Sequence, residues 1–112
     1  MLIYCDSSTK EACFIIEGQE LTIIPYSEPV TNNVGEYKAL IFALERAKML
    51  GAKQVEILTD SQLVVNQVNG VWACRAKHLL PFMIKARELA QELQAIISWI
   101  PREESLAGKV LE

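Results

Sequence analysis

Three carboxylic acids in this 112-residue chain, Asp6, Glu36 and Asp60, sit where acids do chemistry. Asp6 closes the apolar run Leu2 to Cys5, and Asp60 closes the alternating run Gln54 to Thr59. Glu36 lies near the start of a stretch with helical periodicity. Each has an ordinary explanation alone. An aspartate at a strand end makes a turn or caps a helix, and a glutamate in a first helical turn answers the helix dipole. Gathered at one place with no Lys or Arg between them, they would repel one another strongly. A hard divalent cation with a preference for oxygen ligands, such as Mg²⁺, removes that penalty.

The elements that must position them follow from hydrophobic period and turn chemistry. Leu2–Cys5, Ala12–Glu17 and Glu20–Pro25 read as three strands of an antiparallel meander, with Gly18-Gln19 as a tight turn. A helix starts near Asn33, which can cap it. It presents Tyr37, Leu40, Leu44 and Ala47 as one apolar stripe and stops at Gly51. Gln54–Thr59 is a fourth strand, and Asp60-Ser61 can cap a short helix, Gln62–Val68, broken by Asn69-Gly70. Pro81 suits the first turn of a third helix carrying Leu79, Phe82, Met83, Ala86, Leu89, Ala90 and Leu93. Ala95–Ile100 is a fifth strand, and Arg102–Glu112 can form a short terminal helix. Strands separated by helices imply parallel crossovers joined to an antiparallel edge. The first and fourth strands then lie side by side, and sites in such sheets form outside the strand ends. That brings Asp6 next to Asp60, with Glu36 reaching in from its helix.

Residues 1–112 read as one domain, without repeats or linkers. The chain is 51% hydrophobic and 22% charged, enough to bury a core. A domain this small is expected as a monomer or a weak homodimer. Its net charge of −3 runs against the basic character of most nucleic-acid binders, although a carboxylate site lowers net charge by itself. Cys5, Cys13 and Cys74 are odd in number and lack CxxC spacing, which excludes a disulfide framework or zinc knuckle and suits reduced thiols in a cytoplasmic protein. Cys5 and Cys13 can face each other across a hairpin, an arrangement that usually reflects packing alone. No secretory signal or membrane-spanning run is read. A single histidine, His78, leaves little material for a Ser-His-Asp or Cys-His mechanism, and no P-loop is present.

The words around the three acids carry a resemblance. Tyr4-Cys5-Asp6-Ser7-Ser8 is similar to a strand ending in Asp-Gly-Ser or Asp-Ala-Ser. Thr31-Asn32-Asn33-Val34-Gly35-Glu36-Tyr37-Lys38-Ala39-Leu40 is similar to Thr-Asn-Asn-x-Ala-Glu-Tyr-x-Ala-Leu. Thr59-Asp60-Ser61-Gln62-Leu63-Val64-Val65-Asn66-Gln67, with Trp72 downstream, resembles a third motif, and Ser98 to Glu104 the stretch before a last one. In this order they resemble type 1 ribonuclease H, in a compact form lacking the basic protrusion. The resemblance implies an α/β, ribonuclease H-like fold: a five-stranded mixed sheet in the order 3-2-1-4-5 with helices on both faces. It implies metal-dependent hydrolysis of the RNA strand of an RNA–DNA hybrid, leaving 5′-phosphate and 3′-hydroxyl ends. Asp6, Glu36 and Asp60 would hold Mg²⁺, two ions in the family's scheme, or Mn²⁺. Asn33 and Gln62, and also Asn32, match positions that contact the hybrid's minor groove, where amides can read a 2′-hydroxyl. Ser7 stands where the family has a smaller residue, which bears on how closely a substrate backbone approaches. Arg75 and Lys77, with Lys85 and Arg87, form a candidate phosphate-contacting strip.

The departure lies at the end. The family pattern Asn-x-x-Ala-Asp supplies a fourth carboxylate. Here, matching Ala107 to its alanine puts Gly108 at the acid's place, and sliding one residue puts Lys109 there. Three readings stand. The site runs on three carboxylates with one metal held weakly, Glu104 or Glu112 reaches in from another register, or the domain is a catalytically weak or inactive nucleic-acid-binding module.

Overall fold

The meander forms from β1 (Leu2–Ser7), β2 (Glu11–Ile16) and β3 (Leu21–Pro25), the computed structural model describing residues 1–108. Strand β1 runs two residues past Cys5. The β2 partners Cys13 and Ala12 pair with Asp6 and Ser7 and keep both in the ladder. The expected turn is shortened accordingly. Gly18, at φ 84°, supplies the left-handed backbone of the β2–β3 turn, which favours glycine.

Helix α1 (Asn32–Met49) crosses to β4 (Glu56–Thr59), followed by α2 (Gln62–Val68), α3 (Leu80–Glu92) and β5 (Ile96–Trp99). Thr31, not Asn33, caps α1: its hydroxyl accepts the Val34 N–H at 3.3 Å. Strands β4 and β5 begin later than their alternation suggests. Gln54 and Gln94 just before them take positive φ, 56° and 51°, which no strand tolerates. The sheet order is β3-β2-β1-β4-β5, antiparallel across β3-β2-β1 and parallel across β1-β4-β5.

Period-2 alternation sends Ile3, Cys5, Phe14, Ile16, Ile57 and Ile97 to the sheet face that meets the helices. Tyr37, Leu40, Leu44 and Ala47 of α1 pack there, fully buried, as their spacing predicts. Truncating Leu44 to alanine would cost about 2–5 kcal/mol. Leu79, Met83, Ala86, Leu89 and Leu93 bring α3 against the same core. On the opposite face Asp6 and Cys13 are buried, and the Cys13 thiol donates to the Ala107 carbonyl oxygen at 3.6 Å. Cys5 and Cys13 therefore do not face each other. Cys5 pairs with Phe14 and Asp6 with Cys13, and this one-residue offset sends the two thiols to opposite faces. After β5 the chain makes a 3₁₀ turn, Arg102–Glu104, and a further turn to Gly108. Residues 109–112, including the candidate positions Lys109 and Glu112, lie outside the described residues. Among the described residues no helix is long and apolar enough to cross a membrane.

Candidate active site

Parallel pairing of β1 with β4 fixes two of the acids. The ladder runs Leu2↔Glu56, Ile3↔Ile57 and Tyr4↔Leu58, and Asp6 and Asp60 each lie two residues beyond the last pair, at neighbouring strand ends. Glu36 comes from α1. Because Thr31 is the cap and Asn32 the first helical residue, Glu36 sits in the second turn and does not serve the helix terminus. Asp60 is likewise not a cap. Ser61 caps α2, its hydroxyl accepting the Val64 N–H at 3.2 Å. Among the described residues only the backbone of Asp60 is hydrogen-bonded, its carbonyl oxygen accepting Trp99 Nε1–H at 3.0 Å. Both ordinary explanations for these acids are thereby removed.

The acids feel one another. Burial pushes the Asp6 carboxyl up to about 6 against a downward pull from the Ser7 N–H; Asp60 raises it further, Arg102 lowers it and Glu36 raises it. Burial also raises Glu36, opposed by the Ser61 hydroxyl, which donates to Glu36 Oε2, and reinforced by Asp60. Asp6 is 4% exposed, and its Oδ2 is buried without a hydrogen-bond partner among the described residues. A buried, unpartnered carboxylate oxygen is costly unless a cation or donor arrives. Among the described residues no three His, Cys, Asp or Glu side chains stand close enough to hold one ion as they are placed. The trio is brought to one sheet edge and coupled electrostatically, but it is not closed around a point. The donor set, hard oxygens with one buried and without a hydrogen-bond partner among the described residues, fits a divalent cation.

Asn32 and Asn33 are exposed in the first turn of α1, and Gln62 is exposed at the first residue of α2. These two helix starts flank Glu36 and Asp60 in sequence and leave all three amides open to solvent. Ser7 differs. Its hydroxyl oxygen lies 2.7 Å from both the Tyr26 hydroxyl and the Ser8 carbonyl oxygen, and the Tyr26 hydroxyl lies 3.1 Å from the Gly35 carbonyl oxygen, so the two hydroxyl protons serve two of these three contacts at a time. Arg75 and Lys77 are exposed on the α2–α3 loop. The proposed basic strip does not extend along α3. Arg87 turns inward, donating to the carbonyl oxygens of Val68 at 3.1 Å and Gln67 at 2.7 Å, and Lys85 pairs with Glu45 at 3.8 Å. Trp72, downstream of the third motif, is 45% exposed.

Two residues of the site escaped the sequence reading. Ser61 ties Glu36 to the start of α2, and its only signal is a hydroxyl directly after a strand-end aspartate. Arg102 places Nη2 4.0 Å from Asp6 Oδ2. Glu104, offered as a substitute ligand, is exposed on the 3₁₀ turn and makes no ion pair or hydrogen bond with the trio among the described residues.

A family model described as reverse transcriptase-like matches residues 14–111. The crystal structure of RNase H1 from the archaeon Halobacterium salinarum superimposes with a TM-score of 0.81 at 30% identity, over 98% of this chain and 96% of that one. The chain belongs to the type 1 ribonuclease H family. The family's divalent-metal dependence agrees with the donor set at the trio. LC11-RNase H1 in complex with an RNA/DNA hybrid, from compost, superimposes with a TM-score of 0.78 at 28% identity, over 94% of this chain and 88% of that one. The bifunctional protein Rv2228c of Mycobacterium tuberculosis is 42% identical over 73 residues, 64% of this chain and 20% of that protein. The chain thus spans about a fifth of the length of that relative.

Proposed function

We propose that this domain is a ribonuclease H hydrolase that cleaves the RNA strand of RNA–DNA hybrids at Asp6, Glu36 and Asp60. The observation that carries the reading is the buried Asp6 Oδ2, without a hydrogen-bond partner among the described residues, at a strand end beside Asp60, with Glu36 near enough to raise its proton affinity. The family membership and the hybrid bound by LC11-RNase H1 support the substrate class.

Asp6 and Asp60 would offer carboxylate oxygens from neighbouring parallel strands, the rigid part of the fold. Glu36 would offer its remaining oxygen while Ser61 holds the other. The divalent ion these three residues would hold, Mg²⁺ or Mn²⁺, would supply charge neutralisation for the scissile phosphate and activation of a water. Asn32, Asn33 and Gln62 would bind the minor groove, where the 2′-hydroxyl distinguishes RNA from DNA. Ser7 is assigned a different part, since its hydroxyl is committed to Tyr26: it supports the β1 end and the start of α1. Arg75 and Lys77 would contact phosphates at the margin.

A gel assay with labelled RNA–DNA hybrid, duplex RNA and duplex DNA, across Mg²⁺ and Mn²⁺, tests the reading. Hybrid-specific cleavage, lost in EDTA and in Asp60→Asn, is expected. Intact hybrid at high Mn²⁺, or full cleavage by Asp60→Asn, refutes it.

A further inference from the structure

Two neighbours of the acids are tied to each other through a third residue. Ser7 follows Asp6 on β1, and Gly35 precedes Glu36 on α1. The Tyr26 hydroxyl lies between them, 2.7 Å from the Ser7 hydroxyl and 3.1 Å from the Gly35 carbonyl oxygen. When Ser7 donates to the Tyr26 oxygen and Tyr26 donates to Gly35, both protons are used and an unbroken chain joins β1 to α1. Tyr26 is itself fixed. Its N–H donates to the Lys10 carbonyl oxygen at 2.9 Å, which anchors it to the β1–β2 turn. Its ring packs against the core, and Lys38 Nζ stands over it, 5.3 Å from the centroid.

The space agrees with the hydrogen bonds. Gly35 is buried, and a Cβ there would run into Ser7 Oγ and lie 3.4 Å from Ser7 Cβ. The Ser7 hydroxyl thus occupies the room that a side chain at position 35 would need. Against the motif wording that these two stretches resemble, Ser7 is larger and Gly35 smaller, a reciprocal exchange at one contact. The exchange brings a hydroxyl to the junction of β1 and α1, and Tyr26 is there to meet it.

We propose that Tyr26 is a positioning residue for the metal site, its hydroxyl bridging the residues next to Asp6 and Glu36 so that the two carboxylates keep a fixed separation. This rests on the reading of the trio as a metal site. Asp6 and Asp60 are set relative to one another by the parallel ladder of β1 and β4. Glu36 sits on a helix and has no ladder to place it. Ser61 holds its carboxylate from the start of α2, and the Tyr26 bridge holds the peptide before it from the end of β1. Partners that orient metal ligands typically control affinity by about 10- to 100-fold. A bridge that acts through the backbone belongs at the lower end.

Calorimetric titration of the full chain with Mn²⁺ alone, on protein whose folded state is checked by circular dichroism, tests this. Tyr26→Phe keeps the ring and loses the bridge, and is expected to bind Mn²⁺ about tenfold more weakly. Ser7→Ala breaks the same chain from the other end and is expected to show a similar loss. Because both remove one bridge, the double variant should bind no more weakly than either single variant. A tyrosine that served only the fold would lower the urea midpoint when changed and leave the affinity of the folded protein as it was. Unchanged affinity in either single variant, or losses that add in the double, overturns the proposal and leaves the metal-site reading standing. Should one variant fail to fold, the affinity of the other decides. No Mn²⁺ binding by wild type defeats the metal-site reading and this proposal with it.

Discussion

Replacing Asp6 with asparagine should make the metal-free domain more stable at neutral pH, although it removes a ligand. Asparagine keeps the size of the side chain and can accept the Ser7 N–H. The loss of attraction to Arg102 is small, because that pair is 4.0 Å apart and Arg102 is half exposed. What changes is the burial of charge. The Asp6 carboxyl rises from its ordinary 3.8 to about 6 in the fold, worth about 3 kcal/mol at 1.36 kcal/mol per tenfold change in proton affinity. The folded state holds its proton more tightly than the unfolded chain, so ∂ΔG/∂pH is negative between these values. Wild-type stability is fully expressed below the unfolded value near 3.8, falls as pH rises towards about 6, and levels off above. Glu36, raised for the same leading reason, adds a slope of the same sign. Asp6→Asn lacks the Asp6 part of that loss. Its advantage should be near zero at about pH 4 and about 3 kcal/mol at neutrality, on the order of 10–20 °C in Tm for a domain of this size. Urea denaturation in EDTA, with wild type and variant measured from acid to neutral pH, reads the difference directly. Added Mn²⁺ should close the gap by stabilising only the wild type. An Asp6→Asn variant that is less stable than wild type at neutrality, or a gap independent of pH, would refute the reasoning.

Further outcomes follow from contacts around the site. Gly35→Ala should cost about 1–3 kcal/mol by overpacking, since its Cβ would meet the Ser7 hydroxyl and lie 3.0 Å from the Ser8 carbonyl oxygen. In a Ser7→Gly background the same change should cost less, and a double-mutant cycle in urea measures the coupling. Arg87→Ala should destabilise by about 1.5–3 kcal/mol, because it leaves the α2 carbonyl oxygens of Gln67 and Val68 without their charged donor. Its affinity for hybrid, measured by fluorescence anisotropy, should not change, in contrast to a phosphate-contacting residue.

The parts of this fold that local period controls were legible in the sequence. The stripe Tyr37, Leu40, Leu44 and Ala47 is buried as its spacing demands, and the strand order follows from meander and crossovers. Asp6 and Asp60 were placed correctly because strand ends are local features and parallel register joins them. Choices between neighbouring residues of similar chemistry were not legible. Thr31 and Asn33 are both good caps, as are Asp60 and Ser61, and only the path of the incoming chain selects one. The same holds for Cys5 and Cys13, where a single step of register decides which face each thiol takes. Arg87 and Arg102 look alike in sequence as surface cations. Their roles depend on elements distant along the chain: the C-terminal carbonyls of α2 for one, the end of β1 for the other.

The central claim, that Asp6, Glu36 and Asp60 together hold a divalent cation, is tested most directly by anomalous diffraction from crystals soaked in Mn²⁺. A Mn²⁺ peak ligated by Asp6 and Asp60 at the ends of β1 and β4, with Glu36 in its coordination shell and the peak absent in Asp60→Asn, is the expected result. No peak at the trio under saturating Mn²⁺, or a peak that persists there in Asp60→Asn, would contradict it.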